Sequence, residues 1–165
     1  MVKILFVCHG NICRSPMAEY VMKERVKSRG LEDLFEIASA ATSTEELGNP
    51  VYPPAKAMLE AHGIRCDGHR ARQMTKADYE RYDLIICMDR FNVKNLYPIT
   101  GGDPQRKVRL LLDYTPRHGQ QTADPWYTGD FDATWRDVTE GCEGLITEML
   151  RQSQGGAAHE NQTRK

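Results

Sequence analysis

Four short apolar runs punctuate the first two-thirds of the chain, and segments of helical character separate them. The runs are residues 2–7 (Val-Lys-Ile-Leu-Phe-Val), 35–41 (Phe-Glu-Ile-Ala-Ser-Ala-Ala), 83–88 (Asp-Leu-Ile-Ile-Cys-Met) and 108–112 (Val-Arg-Leu-Leu-Leu). Strands that are apolar on both sides belong in a sheet covered on both faces. Alternation with helices makes that sheet parallel, because successive parallel strands need a long crossover between them. The expected fold is therefore α/β, three layers deep, with four parallel strands. In such sheets ligands bind beyond the carboxyl ends of the strands, where a loop feeds a helix. The first such loop runs over residues 8–14.

The helix signals lie between and after the runs. Ser15-Pro16 reads as a cap and first-turn proline, and Gly30 as the end of that helix. A second helix starts at Pro54-Ala55 and ends near Gly63, and Thr75-Lys76-Ala77-Asp78 opens a short third with a capping-box pattern. Another spans about 90–97 and is expected to stop at Pro98. Residues 113–130 are polar and rich in Pro, Gly and Asp, which predicts a loop. Phe131, Trp135, Val138, Cys142, Leu145 and Met149 then form one apolar stripe at helical spacing, capped by Asp130. After Ser153 periodicity ceases, so we expect a single domain over 1–153 and a disordered tail over 154–165.

Bulk properties exclude several classes. The formal net charge of the 165 residues is −1, which gives no cause to expect nucleic acid or an anionic membrane as partner. No apolar run is long enough to span a bilayer. The N-terminal stretch runs into Cys8-His9-Gly10-Asn11 without a small-residue cleavage site, so it reads as a strand and not as a signal peptide. The five cysteines are odd in number and hold no Cys-x-x-Cys pair, so the expectation is reduced thiols in the cytoplasm. The histidines are scattered, and neither a metal nor another cofactor is expected. No feature specifies an oligomeric state.

The chemistry is expected at Cys8-His9-Gly10-Asn11-Ile12-Cys13-Arg14-Ser15. The bare spacing from Cys8 to Arg14 recurs easily by chance. Its position between a buried strand and a helix start is what matters. Five intervening residues can wrap a loop whose backbone N–H groups, with the helix N-terminus, make an anion nest. Gly10 is expected to supply unusual backbone angles there. The nest and Arg14 favour the reactive thiolate of Cys8. Arg14 offers a two-pronged donor to phosphate oxygens. Ser15 can donate to the Cys8 sulfur, and Asn11 can brace the loop. A proton donor for a leaving group is also required, and Asp124, in Asp124-Pro125-Trp126-Tyr127, is the best candidate. On the residues alone, a turn-forming Asp-Pro is an equal reading.

The segment Val7 to Pro16 together with Asp124-Pro125-Trp126-Tyr127 resembles the low-molecular-weight protein tyrosine phosphatases, over about residues 1–150. The stretches Ser39 to Ser43, His69 to Gln73 and Cys87-Met88-Asp89 fit as well. The resemblance implies a four-stranded parallel sheet with helices on both faces, and metal-free hydrolysis of phosphotyrosine in a protein or peptide, with inorganic phosphate as product. It implies Cys8 as nucleophile, Arg14 as phosphate binder and Asp124 as general acid, with Asn11, Ser43 and His69 shaping the loop. It also implies that Cys13 is the redox partner of Cys8; simple packing is the alternative for Cys13. Cys66, Cys87 and Cys142 sit in apolar patterns and read as core.

Departures from the family pattern bear on substrate. Trp126 and Tyr127 stand where two tyrosines are common, and either flanks a substrate ring or packs the loop. Glu45 and Glu46 occupy a rim that is often apolar, which favours basic peptides. Three rivals remain. A protein arginine phosphatase of this scaffold carries Thr in place of Ile12. A thioredoxin-coupled arsenate reductase needs a further cysteine pair, which the stretch after Cys87 lacks. A non-catalytic phosphate or redox sensor would not need Cys8, Arg14 and Asp124 together.

Overall fold

β1 (Val2–Cys8) is the inner strand around which the rest is built. β2 (Phe35–Ala41) pairs with one side of it and β3 (Leu84–Cys87) with the other, and β4 (Val108–Leu110) lies beyond β3. Every pairing is parallel. The structure, a computed structural model, describes the backbone of residues 1–163 and the side chains of residues 1–154. Within the tail expected to be disordered over 154–165, the backbone of residues 154–163 continues as helix, and residues 164–165 lie outside the described residues.

Alternation along β1 divides the core in two. Ile4, Phe6 and Cys8 point to one face and pack with α1 (Arg14–Ser28), α2 (Pro53–Ala61) and α6 (Phe131–Thr163), through Met17, Val21, Leu59, Val138, Cys142 and Leu145. Leu5 and Val7 point to the other face, against Tyr79 of α3 (Lys76–Arg81) and Leu96 of α4 (Arg90–Thr100). A fully buried aliphatic side chain contributes about 2 kcal/mol, so β1, apolar on both faces, is a major source of stability. All four strands end on the same side, where Cys8 pairs in register with Ala41, and Val7 with Cys87.

Several expectations on element ends need correction. α1 starts at Arg14 with Cys13 as cap residue and no side-chain cap; Ser15 lies inside the first turn, its hydroxyl used elsewhere. Pro98 does not stop α4. The helix runs on to Thr100 and closes on Gly101, left-handed at φ 78°, whose N–H bonds to Tyr97 O at 2.7 Å. A proline near a helix end forfeits only one backbone bond, which the cap offsets. Leu111 and Leu112, expected in β4, are buried in a 3-10 turn over Leu111–Tyr114. The polar loop 113–130 holds one helical turn, α5 (Pro125–Thr128). The capping box at Thr75 and the cap at Asp130, whose Oδ1 accepts from Ala133 N at 3.0 Å, are as read from the sequence.

α6 seats on the 3-10 turn over Leu111–Tyr114 because two of its residues lack side chains. A Cβ on Gly141 would stand 2.4 Å from Leu111 Cγ, and one on Gly144 would stand 1.8 Å from Tyr114 O. The second obstacle is backbone and cannot rotate away. Gly144→Ala is expected to destabilise the fold by about 3 kcal/mol and to lower Tm by roughly 5–10 °C. An unchanged Tm would contradict this seat for α6.

Candidate active site

The loop 9–13 is shaped by Asn11, which is fully buried and takes φ 59°. Left-handed backbone is costly for most residues and least so for Asn and Gly. Gly10 is not among the residues with positive φ, so the expectation for it is corrected. Glycine fits there because a Cβ would approach Glu46 Cγ to 3.3 Å. Asn11 Nδ2 donates to Ser15 Oγ at 2.8 Å and to Ser39 Oγ at 2.9 Å, and its Oδ1 accepts from Arg72 N at 3.3 Å. Its carbonyl accepts from Nε2 of buried His69 at 2.8 Å, which places the proton of that ring on Nε2. The serine on Asn11 from β2 is thus Ser39, where Ser43 was expected. Ser43 holds the loop one step earlier, its Oγ donating to His9 O at 2.9 Å.

Cys8, at the carboxyl end of β1, is 4% exposed, with its Sγ 2.9 Å from Ser15 Oγ. The N-terminus of the fifteen-residue helix α1 points its partial positive charge at the same place. Among the described residues, no backbone N–H from Gly10 to Ser15 is given to a protein acceptor. Buried backbone donors are rarely left without a partner, so an anionic ligand is the natural occupant.

Arg14 is 3% exposed, and its guanidinium touches three residues on two segments. Nη1 donates to Thr122 O at 3.1 Å, and Nη2 donates to Asp89 Oδ2 at 2.8 Å and lies 3.3 Å from Asp124 Oδ2. Burial works against its charge, but Cys8, Asp124 and Asp89 together hold its pKa above the ordinary value. Asp89 caps α4 with its other oxygen, which accepts from Asn92 N at 2.8 Å. Asp124 caps α5, Oδ1 accepting from Trp126 N at 3.1 Å. The segment before α5 is tied down by Thr122 N on Met88 O at 2.9 Å, by Ala123 N on Asp137 Oδ2 at 3.0 Å, and by Thr134 Oγ1, which donates to Ala123 O at 2.8 Å.

These groups open into a cleft of about 310 Å³ lined by the loop, Arg14, Glu45, Glu46, Asp124, Trp126 and Tyr127. Ile12 lines its apolar side. His9 Nε2 lies 2.9 Å from Glu45 Oε2 at the rim, and both side chains are largely exposed. Trp126 leans on Tyr52 with ring centroids 5.4 Å apart, so it is held at one edge. Tyr127 is 85% exposed, which rules out packing the loop as its task. Cys13 also lines the cleft, and burial together with the nearby Cys8 pushes its thiol up to about 12. Cys66, Cys87 and Cys142 are buried, and their thiols are raised by desolvation. Among the described residues no group of three or more His, Cys, Asp or Glu side chains has the arrangement to hold a metal ion, and no helix is long and apolar enough to cross a membrane.

The structure therefore brings together Cys8, Arg14, Asp124 and the loop residues. It adds Asp89 and Ser39, absent from the set of site residues read from the sequence, and places Glu46 in the cleft lining as the rim reading expected. Asp89 was legible in principle: it follows a buried strand at the same end of the sheet as Cys8 and opens an Asp-x-x-Asn cap.

Comparison with known proteins gives the family. Residues 3–155 match the model for the low molecular weight phosphotyrosine protein phosphatases. The low molecular weight protein-tyrosine-phosphatase YfkJ of Bacillus subtilis is 36% identical over 155 residues, covering 93% of this chain and 99% of that protein. Its crystal structure superposes with a TM-score of 0.88 over 92% of this chain and 96% of that one, at 35% identity. The low molecular weight phosphotyrosine protein phosphatase of Gallus gallus is 38% identical, covering 87% of this chain and 92% of that protein. A Drosophila arginine phosphatase shares the fold at a TM-score of 0.80 and 28% identity, over 90% of this chain and 98% of that one. A strand–loop–helix that buries Cys8 beside Ser15, facing a guanidinium shared with Asp124, is thus set in a matching sequence from end to end of the domain: the chain belongs to the low molecular weight phosphotyrosine protein phosphatase family.

Proposed function

We propose that this protein hydrolyses phosphotyrosine in proteins or peptides through a phosphocysteine on Cys8. The observation that carries the reading is the joint placement, in one cleft, of the Cys8 sulfur 2.9 Å from Ser15 Oγ and of Arg14 within 3.3 Å of Asp124. The substrate phosphate seats on the loop N–H groups and on Arg14, replacing the Asp124 carboxylate as partner of the guanidinium. Asp124, having taken up a proton from solvent on leaving the guanidinium, gives it to the phenolic oxygen as the Cys8 sulfur attacks phosphorus in line and the P–O bond to the ring breaks. In the second step water attacks phosphorus, Asp124 takes its proton, and the S–P bond breaks. The thiolate leaves toward the Ser15 hydroxyl, and inorganic phosphate is released. Ile12 and the exposed faces of Trp126 and Tyr127 flank the substrate ring, and Glu45 and Glu46 face its neighbouring residues.

Phosphoarginine is the second reading, favoured by the fold shared with the Drosophila arginine phosphatase. The apolar surface of Ile12 suits an aromatic ring better than a guanidinium. Five free, buried cysteines support a reducing, cytoplasmic setting. Cys13 is the resolving thiol in this account: peroxide oxidises Cys8 to the sulfenic acid, the Cys13 sulfur attacks it, and a disulfide forms as water leaves.

Asp124→Ala is expected to lower kcat by about 10²–10³-fold for phosphotyrosine peptides, and by less for aryl phosphates whose leaving group needs no proton. Equal kcat in parent and variant would remove Asp124 from its role. Rates on matched phosphotyrosine and phosphoarginine peptides decide the substrate; a preference for phosphoarginine would overturn the assignment while keeping the Cys8 chemistry. With its thiol raised to about 12, Cys13 stays protonated below that pH and should resist alkylation in the native protein at pH 8. Labelling of Cys13 under those conditions, read by peptide mass spectrometry, would contradict its burial. Cys13→Ser should recover less activity after peroxide and thiol treatment than the parent; equal recovery would remove the resolving role.

A further inference from the structure

Ala123 delivers Asp124 to the cleft, and α6 holds both of its backbone polar groups. Thr134 Oγ1 donates to Ala123 O at 2.8 Å, and Ala123 N donates to Asp137 Oδ2 at 3.0 Å. Thr134 and Asp137 lie three residues apart in the helix and so share one face. Both are buried, and a polar side chain withdrawn from water needs partners. The other oxygen of Asp137 lies 2.8 Å from Arg117 Nη2, which donates to Glu140 Oε2 at 2.7 Å. The carboxylate is thus fixed from its far side as well. The two bonds to Ala123 act on different peptide planes. The plane between Thr122 and Ala123 is held twice, by Asp137 on its N–H and by Arg14 Nη1 on its carbonyl at 3.1 Å. The plane between Ala123 and Asp124 is the last before the acid. Its carbonyl has Thr134 as its one donor among the described residues. In the empty cleft Arg14 Nη2 also lies 3.3 Å from Asp124 itself. The proposed reaction gives that partner to the phosphate, and the hold on Ala123 then carries the acid from the α6 side.

We propose that Thr134 and Asp137 are positioning residues for the general acid: their clamp on Ala123 keeps the Asp124 carboxyl at the leaving oxygen once Arg14 has turned to the phosphate. Thr134 is the stronger member, because the plane it holds has no second holder. The proposal rests on Asp124 being the general acid. The alternative is that both residues only seat the segment on α6 for stability, while buried Pro125 and the contact of Trp126 with Tyr52 fix the acid from its other side.

Thr134→Val keeps the shape and removes the hydroxyl. Asp137→Ala removes the acceptor and leaves Arg117 its bond to Glu140. The readout is kcat/KM on two substrates: phenyl phosphate, whose leaving group needs a proton, and dinitrophenyl phosphate, whose leaving group does not. Misplacing a reacting group by about 1 Å costs up to about a hundredfold, and a loosened but still tethered acid less. Thr134→Val should therefore lower kcat/KM about tenfold for phenyl phosphate and less than about twofold for dinitrophenyl phosphate. Asp137→Ala should show the same selectivity with a smaller loss. Thr134→Ser, which keeps the hydroxyl, should restore the parent rate on phenyl phosphate. In an Asp124→Ala background Thr134→Val should have no further effect. Equal losses on the two substrates, or parent-like rates on both, would overturn the proposal, as would a loss that persists without Asp124. Asp137→Ala carries the same test, with the same contradicting outcomes, if Thr134→Val does not fold. Failure of the underlying reading looks different: Asp124→Ala itself would then lose no more on phenyl phosphate than on dinitrophenyl phosphate.

Discussion

A guanidinium that is almost wholly withdrawn from water must be surrounded by acceptors, and Arg14 meets that demand with three acceptors from two distant parts of the chain. Thr122 O and Asp124 come from the segment after β4, and Asp89 from the end of β3, while Arg14 itself opens the helix after β1. The start of the helix after β1, the end of β3 and the segment after β4 therefore converge on one side chain. Removing any acceptor would leave a buried charge short of a partner, so the position of the 122–124 segment is coupled to that of the loop 9–13. The coupling has a functional side. In the proposed reaction the Arg14 Nη2 that lies 3.3 Å from Asp124 Oδ2 also serves the phosphate, so binding and the release of Asp124 become one event.

The loop beneath Arg14 obeys a second constraint. Its turn depends on a left-handed residue, and the chain places Asn11 there where a glycine would be simpler. Asparagine supplies a side chain that reaches Ser15, Ser39 and the backbone of Arg72, while its carbonyl takes the buried His69. Backbone strain is thus held in place by hydrogen bonds from α1, β2 and the segment before α3. Those bonds leave the remaining N–H groups of the loop for a ligand.

Much of this was legible in the sequence, for physical reasons. Buried parallel strands are apolar on both faces, so Ile4 to Val7 and Leu84 to Cys87 announce themselves, and a strand running into Cys8 and then Arg14 marks the loop end of the sheet. Element ends were less legible. Leu111 and Leu112 are as apolar as a strand because they are buried, and burial does not distinguish a strand from a 3-10 turn. Pro98 looks like a terminator, but its cost near a helix end is small beside the left-handed cap at Gly101. Contacts distant in sequence were invisible for another reason. Asp89 lies 75 residues from Arg14, and Ser39 lies 28 from Asn11; no local pattern encodes that Ser39, the one serine of β2, meets Asn11. The register of β1 on β2 decides it, placing Ser39 beside Phe6, two residues before Cys8.

The central claim is that phosphate passes through the sulfur of Cys8. Rapid mixing of the Asp124→Ala variant with an aryl phosphate of good leaving group, followed by acid quench and peptide mass spectrometry, tests it directly. Without Asp124 to activate water, the second step slows and the intermediate accumulates. The account predicts one phosphate bound per protein as the phenol is released in a stoichiometric burst, and located on the peptide that begins the loop at Cys8. Phosphate on any other residue, or turnover by direct attack of water with no covalent phosphate on Cys8, would contradict it.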